Sequence, residues 1–72
     1  MKLEKFDIID NYTFKLIFEN GVEKRVDLSN LLKAKVSIEE LKTAKIDQDW
    51  GCLEFKDGLV DIEPTTLYKF AQ

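Results

Sequence analysis

The residues of this chain with the most chemical content stand between Asp47 and Glu54, in the run "DQDWGCLE". Asp47 and Asp49, one residue apart, with Glu54 further on, resemble half of a calcium loop. The complete loop also needs a third oxygen-bearing position, a central glycine and a bidentate glutamate at fixed spacing, and the run lacks these. It reads instead as a solvated connection between strands. A carboxylate pair can act as acid and base where an apolar pocket raises the pKa of one member, which spacing alone does not decide. Cys52 is the only cysteine. With Gly51 before it and Leu53 after it, it heads an apolar strand and reads as a small buried hydrophobe rather than a reactive thiol. The chain has no histidine, so it lacks the commonest general base, the usual partner of a serine or cysteine nucleophile and the commonest transition-metal ligand. Hydrolase triads are excluded, and a zinc site has no ligands. The three glycines do not form a phosphate-cradling loop. No catalytic residue, metal or cofactor is therefore expected, and the chain reads as a non-enzyme. Trp50, set among charges and glycine, is expected to be a half-buried lid over a sheet in preference to a platform for stacking a ligand.

Composition narrows the partners. The chain has 72 residues, 44% hydrophobic and 35% charged, which describes one small folding domain, residues 1–72, rather than a disordered segment. The formal charge is −3 with a pI near 4.8, and a negative chain repels a phosphate backbone. Direct nucleic-acid binding is not expected. No apolar run approaches the roughly 18 residues of a membrane helix, and "MKLEKFDIID" mixes charge into the place of a signal peptide's apolar region. With a lone cysteine and no staple, a reducing cytoplasmic setting is the expectation. The charge is also uneven. Residues 1–45 carry nine bases and eight acids, whereas residues 46–72 set Lys56 and Lys69 against Asp47, Asp49, Glu54, Asp57, Asp61 and Glu63.

The elements that must position these residues are legible from periodicity. In "YTFKLIFENGVEKRVD" a two-residue Asn20-Gly21 turn would set Phe14, Leu16 and Phe18 against charged residues. A three-residue loop, Glu19 to Gly21, with Gly21 left-handed, instead sets Phe18 against Val22, Leu16 against Lys24 and Phe14 against Val26. The stem of Lys24 lies along the sheet with its ammonium at the edge. Ser29 is placed to cap a single turn burying Leu31 and Leu32. Ser37 and Glu40 have capping-box spacing, and Val36 and Leu41 that of a hydrophobic staple. "AKID" reads as a short strand. "CLEF" and "LVDI" flank Asp57-Gly58 as a hairpin with a two-residue turn, pairing Phe55 with Val60 and Leu53 with Ile62. Pro64 opens the last helix, with Ile62 and Leu67 at staple spacing. The first strand is ambiguous, since Phe6 and Ile8 alternate with Leu3 and Ile9, and a bulge near Ile8-Ile9 would reconcile the halves. The fold class is α+β, with an antiparallel-rich sheet from hairpins 12–27 and 51–62 plus a short strand near 44–47, and short helices near 30–33, 38–43 and 64–70.

In this order the motifs resemble the prokaryotic family called domain of unknown function 2442. "YTFKLIFENGVEKRVDLSNLL" is similar to its hydrophobic hairpin and Asp-Leu-Ser helix start, "WGCLEF" to its Gly-x-Leu-x-aromatic strand, and "DGLVDIEPTTLY" to its closing Gly, Asp-Ile-x-Pro and Leu-Tyr motif. The chain departs at Asn30, where the family usually has proline, at Glu63, where it favours aspartate, and by one extra residue between Gly58 and Asp61. The resemblance implies a small protein commonly encoded beside another small one, an arrangement that suggests an antitoxin-like partner protein. It implies no established enzyme.

Two functions remain. In one, the chain is an interaction module binding another small protein, of basic charge, through an exposed sheet edge or the acidic last third, with Asp47, Asp49, Trp50 and Asp61 as the contact residues. In the other, it is a small ligand-binding domain or enzyme with a pocket near Trp50. Gly21, Ser37, Gly58 and Pro64 have structural roles at turns and caps. A core this small also gains from burying a strand edge or the Phe70 end against a second copy, so a homodimer is expected.

Overall fold

The computed structural model describes residues 1–71. Strand β2, Thr13–Phe18, alternates strictly, with Phe14, Leu16 and Phe18 fully buried. It pairs with β3, Glu23–Asp27, setting Phe14 against Val26 and Leu16 against Lys24. The Phe18 N–H donates to the Val22 carbonyl at 2.9 Å, and the Gly21 N–H to the Phe18 carbonyl at 2.9 Å. Gly21 has φ +86°, the left-handed conformation that the three-residue loop demands. Lys24 has more than a solvated end: its Nζ lies 4.8 Å over the ring of Tyr68, a cation–π contact across the fold.

Strand β1, Leu3–Asp10, lies antiparallel on the other side of β2 and is interrupted by two register shifts. One falls at Glu4, so that Leu3 opposes Phe18 while Phe6 opposes Leu16. An extra residue there puts Leu3 and Phe6 on the same inward side although they are three apart, which resolves the conflict of parity in the sequence. The second falls at Ile9, between Ile8 and Asp10.

The other strands form a sheet of their own rather than joining the first. Strands β4, Lys45–Ile46, β5, Leu53–Phe55, and β6, Val60–Ile62, run antiparallel in that order. Phe55 opposes Val60 and Leu53 opposes Ile62. The ladder ends there. Asp57 and Gly58 take positive φ and the Leu59 N–H bonds to the Lys56 carbonyl at 3.2 Å, a turn of the primed type, but Lys56 is left-handed as well. Its N–H has left the hairpin for Thr43 Oγ1 at 2.8 Å, so four residues separate the paired positions instead of two.

The sheets and three short helical pieces enclose one core. Leu3, Phe14, Leu16, Phe18, Leu28, Leu32, Val36, Leu41, Leu53, Phe55 and Leu67 belong to it, and Phe14 meets Phe55 edge to face at 6.2 Å across the two sheets. Helix α1 spans Ser29–Leu32. Ser29 does not cap it: Leu28 holds the cap position, and the Ser29 N–H donates to Asp27 Oδ1 at 2.9 Å. The Leu31 and Leu32 N–H groups, which a Ser29 cap would have to satisfy, instead both donate to the Leu28 carbonyl at 3.0 Å. At the 3-10 helix Glu39–Thr43, the Ser37 N–H donates to Glu40 Oε1 at 2.9 Å and the Glu40 N–H to Ser37 Oγ at 3.1 Å, the reciprocal capping box. Helix α2, Pro64–Phe70, opens with Pro64 in its first turn and buries Leu67.

A candidate interaction groove beside strand β6

Asp47, at the end of β4, closes a tight loop with its own backbone. Its N–H donates to the Cys52 carbonyl at 2.9 Å, and its carbonyl accepts from the Gly51 N–H at 2.7 Å. Its side-chain Oδ1 accepts from the Asp49 N–H at 3.1 Å, an Asx turn that holds the loop in shape. Gly51 has φ +72°, and a Cβ there would come within 2.8 Å of Lys2 Cα. The Leu3 N–H bonds to the Gly51 carbonyl at 3.1 Å, which fixes the start of β1 against the loop. With its flanks tied down on both sides, the loop carries Trp50 outward. Trp50 is 74% exposed, so it is not a half-buried lid.

This loop forms one end of a groove of about 830 Å³. Val60, Asp61 and Ile62 all line it. Successive residues of a strand point to opposite faces, so a groove that touches all three runs along the edge of β6 and not over either face. Beyond β6 the wall continues through Glu63 and Pro64. The four residues singled out from sequence, Asp47, Asp49, Trp50 and Asp61, therefore come together in one groove from two separate segments. Glu63, Lys2 and Lys35 also line it. Glu63 had a signal in the acid-rich count; Lys2 and Lys35 had none, because they arrive from distant parts of the chain.

The remaining acids of the last third lie elsewhere. Glu54 and Asp57 each approach Lys45 Nζ at 3.6 Å. Lys56 pairs with Glu40 at 3.5 Å and donates to the Lys35 carbonyl at 3.1 Å. Asp61 stands directly opposite Glu54 on the neighbouring strand, a like-charge pair that Lys45 relieves only on the Glu54 side. Asp47 is half-buried, Asp49, Asp61 and Glu63 are exposed, and no polar side chain is buried among the described residues. Cys52 also lines the groove, at 8% exposure. Burial, reinforced by the charges of Asp61, Asp47, Glu63 and Glu54, pushes its thiol above the ordinary range, which keeps it protonated and a poor nucleophile. Among the described residues no three histidine, cysteine, aspartate or glutamate side chains gather as a metal site, and no helix is long and apolar enough to cross a membrane.

The match to known proteins spans nearly the whole chain: a family described as protein of unknown function (DUF2442) covers residues 4–72. The chain belongs to this family. No curated protein and no solved structure matches it. In this DUF2442 chain the motifs separate into two kinds of residue. Gly51, Leu53 and Phe55 are scaffold, one fitting the loop against Lys2 and two filling the core. Asp61, Glu63 and the exposed Trp50 line the groove with no ion pair among the described residues.

Proposed function

We propose that this DUF2442 protein is a non-enzymatic interaction module, an antitoxin-like binder that receives a basic segment of another small protein in the groove beside β6. The observation that carries this reading is the convergence of Asp47, Asp49, Asp61 and a Trp50 that is 74% exposed on a single groove. A large aromatic ring standing in water is the kind of residue that anchors interfaces once desolvated. Carboxylates around it draw a basic partner in and relieve their own repulsion on binding. Asp49 and Asp61 are exposed and Asp47 only half-buried, which supports binding over acid–base chemistry, since that needs at least one carboxyl in an apolar enclosure. The second reading, a small-ligand site at the same groove, draws on its volume, which lies within the range of small-molecule pockets of roughly 300–1,000 Å³.

Affinity capture from the source cell, with neighbouring genes co-expressed, tests the proposal. The bait is compared with Asp47→Asn combined with Asp49→Asn, with Asp61→Asn, and with Trp50→Ala. Asparagine keeps an Oδ1 for the Asx turn, so the loop survives while the charge goes. The expected outcome is a captured basic protein lost or weakened in all three variants. Folded variants that bind it unchanged, with unchanged salt dependence, place the interface elsewhere.

A further inference from the structure

Beyond Leu3, whose N–H bonds to the Gly51 carbonyl, the outer edge of β1 is unpaired among the described residues. From Lys5 to Asp10 its backbone bonds only to β2 among the described residues, and Ile8 and Ile9 stand exposed near its end. Which groups face outward follows from the first hairpin. Phe18 donates its N–H to Val22 and accepts at its carbonyl from Gly21, both on the β3 side. Backbone direction alternates along a strand, so Leu16 and Phe14 also turn toward β3, and Ile17 and Lys15 toward β1. Lys5 and Asp7, opposite Ile17 and Lys15, therefore carry the bonds to β2. Phe6 and Ile8 turn their N–H and carbonyl groups outward.

We propose that this edge pairs with the same edge of a second copy, antiparallel about a two-fold axis through Phe6, joining the two β1–β2–β3 sheets into one. Outward groups must meet outward groups across such an axis, which leaves registers centred on Phe6, Asp7 or Ile8. Centring on Asp7 sets that carboxylate against its own copy, a destabilising like-charge contact. Centring on Ile8 or on Phe6 alike runs into a bulge, at Ile9 or at Glu4, but Ile8 as the centre sets Asp7 against Ile9 and Phe6 against Asp10, with no charge pair. Centring on Phe6 sets Lys5 against Asp7 of the second copy, twice, in the pair type where side chains approach most closely. Within one copy neither Lys5 nor Asp7 has an ion pair among the described residues. Phe6, half-buried alone, meets its counterpart on the axis. The regular run between the two bulges is only Lys5 to Ile8, so the contact is short and the dimer weak, populated at high concentration.

Sedimentation equilibrium of the full chain, from about 10 μM to about 1 mM, tests the inference against a charge-swap cycle. The wild type is expected to form dimers at the upper end. Lys5→Glu, at an exposed position, raises the dimer dissociation constant by about tenfold or more, since it sets Glu against Asp7 of the second copy. Asp7→Lys weakens it too, while the double variant K5E/D7K returns it to within about threefold of wild type. A chain that stays monomeric throughout, a dimer untouched by either single change, or a double variant as weak as the singles overturns the proposal.

Discussion

Two glycines in similar conformations carry different burdens. Gly21 has φ +86° and nothing within 4 Å of where a Cβ would stand, so Gly21→Ala brings left-handed strain alone, about 1 kcal/mol. Gly51 combines φ +72° with the backbone of Lys2 in the way. Gly51→Ala must strain the loop and displace the start of β1, roughly 3 kcal/mol or more. Urea unfolding midpoints compare the two, and equal losses would contradict the packing at Lys2. The Asn20-Gly21 turn was legible because turn chemistry and alternation agree locally. Gly51 read as a mere strand start, since Lys2 approaches it from 49 positions away. The exposure of Trp50 was hidden for the same reason: the loop ties that turn the ring outward are tertiary. Glu40 carries a pH signature. The Ser37 N–H first, and Lys56 in addition, hold its carboxyl below the ordinary range. A depressed folded pKa means stability that is present above the unfolded value and lost as pH falls through the folded one. The urea midpoint should therefore drop as pH falls below about 4, and Glu40→Gln should flatten that slope.

At the scale of elements, short helical pieces this size do not hold by propensity and depend on their ends. Removing the Ser37 hydroxyl in Ser37→Ala should cost about 1 kcal/mol. The segment leading into that capping box is tied to the first hairpin by the Tyr12 hydroxyl, which donates to the Val36 carbonyl at 2.6 Å. Tyr12→Phe leaves that carbonyl without its partner and should cost about 1 kcal/mol in chemical denaturation; no change would mean that water takes the hydroxyl's place. The capping box and both hairpin registers could be read from sequence because each depends on residues within a few positions of one another. The face of β1 could not, because the bulge at Glu4 is set by how the strand meets β2. Nor could the division into two sheets, because no strand's own pattern records which other strands it pairs with.

At the scale of the whole molecule, folding sorts the acids of the last third into two sets. Glu54 and Asp57 share Lys45, whereas Asp47, Asp49, Asp61 and Glu63 face one groove with Trp50 at its end. The sequence count showed the excess of acid, and the fold decided which part of it lines the groove. Trp50 is the only tryptophan, so its fluorescence reports on the groove without labelling. The central claim is tested most directly by titrating the captured partner into this protein, following Trp50 emission and its access to a soluble quencher at several salt concentrations. The account predicts a blue shift and protection from quencher, with a midpoint that rises as salt rises. A complex that forms by mass while Trp50 keeps its solvent-exposed emission and stays open to the quencher would contradict it.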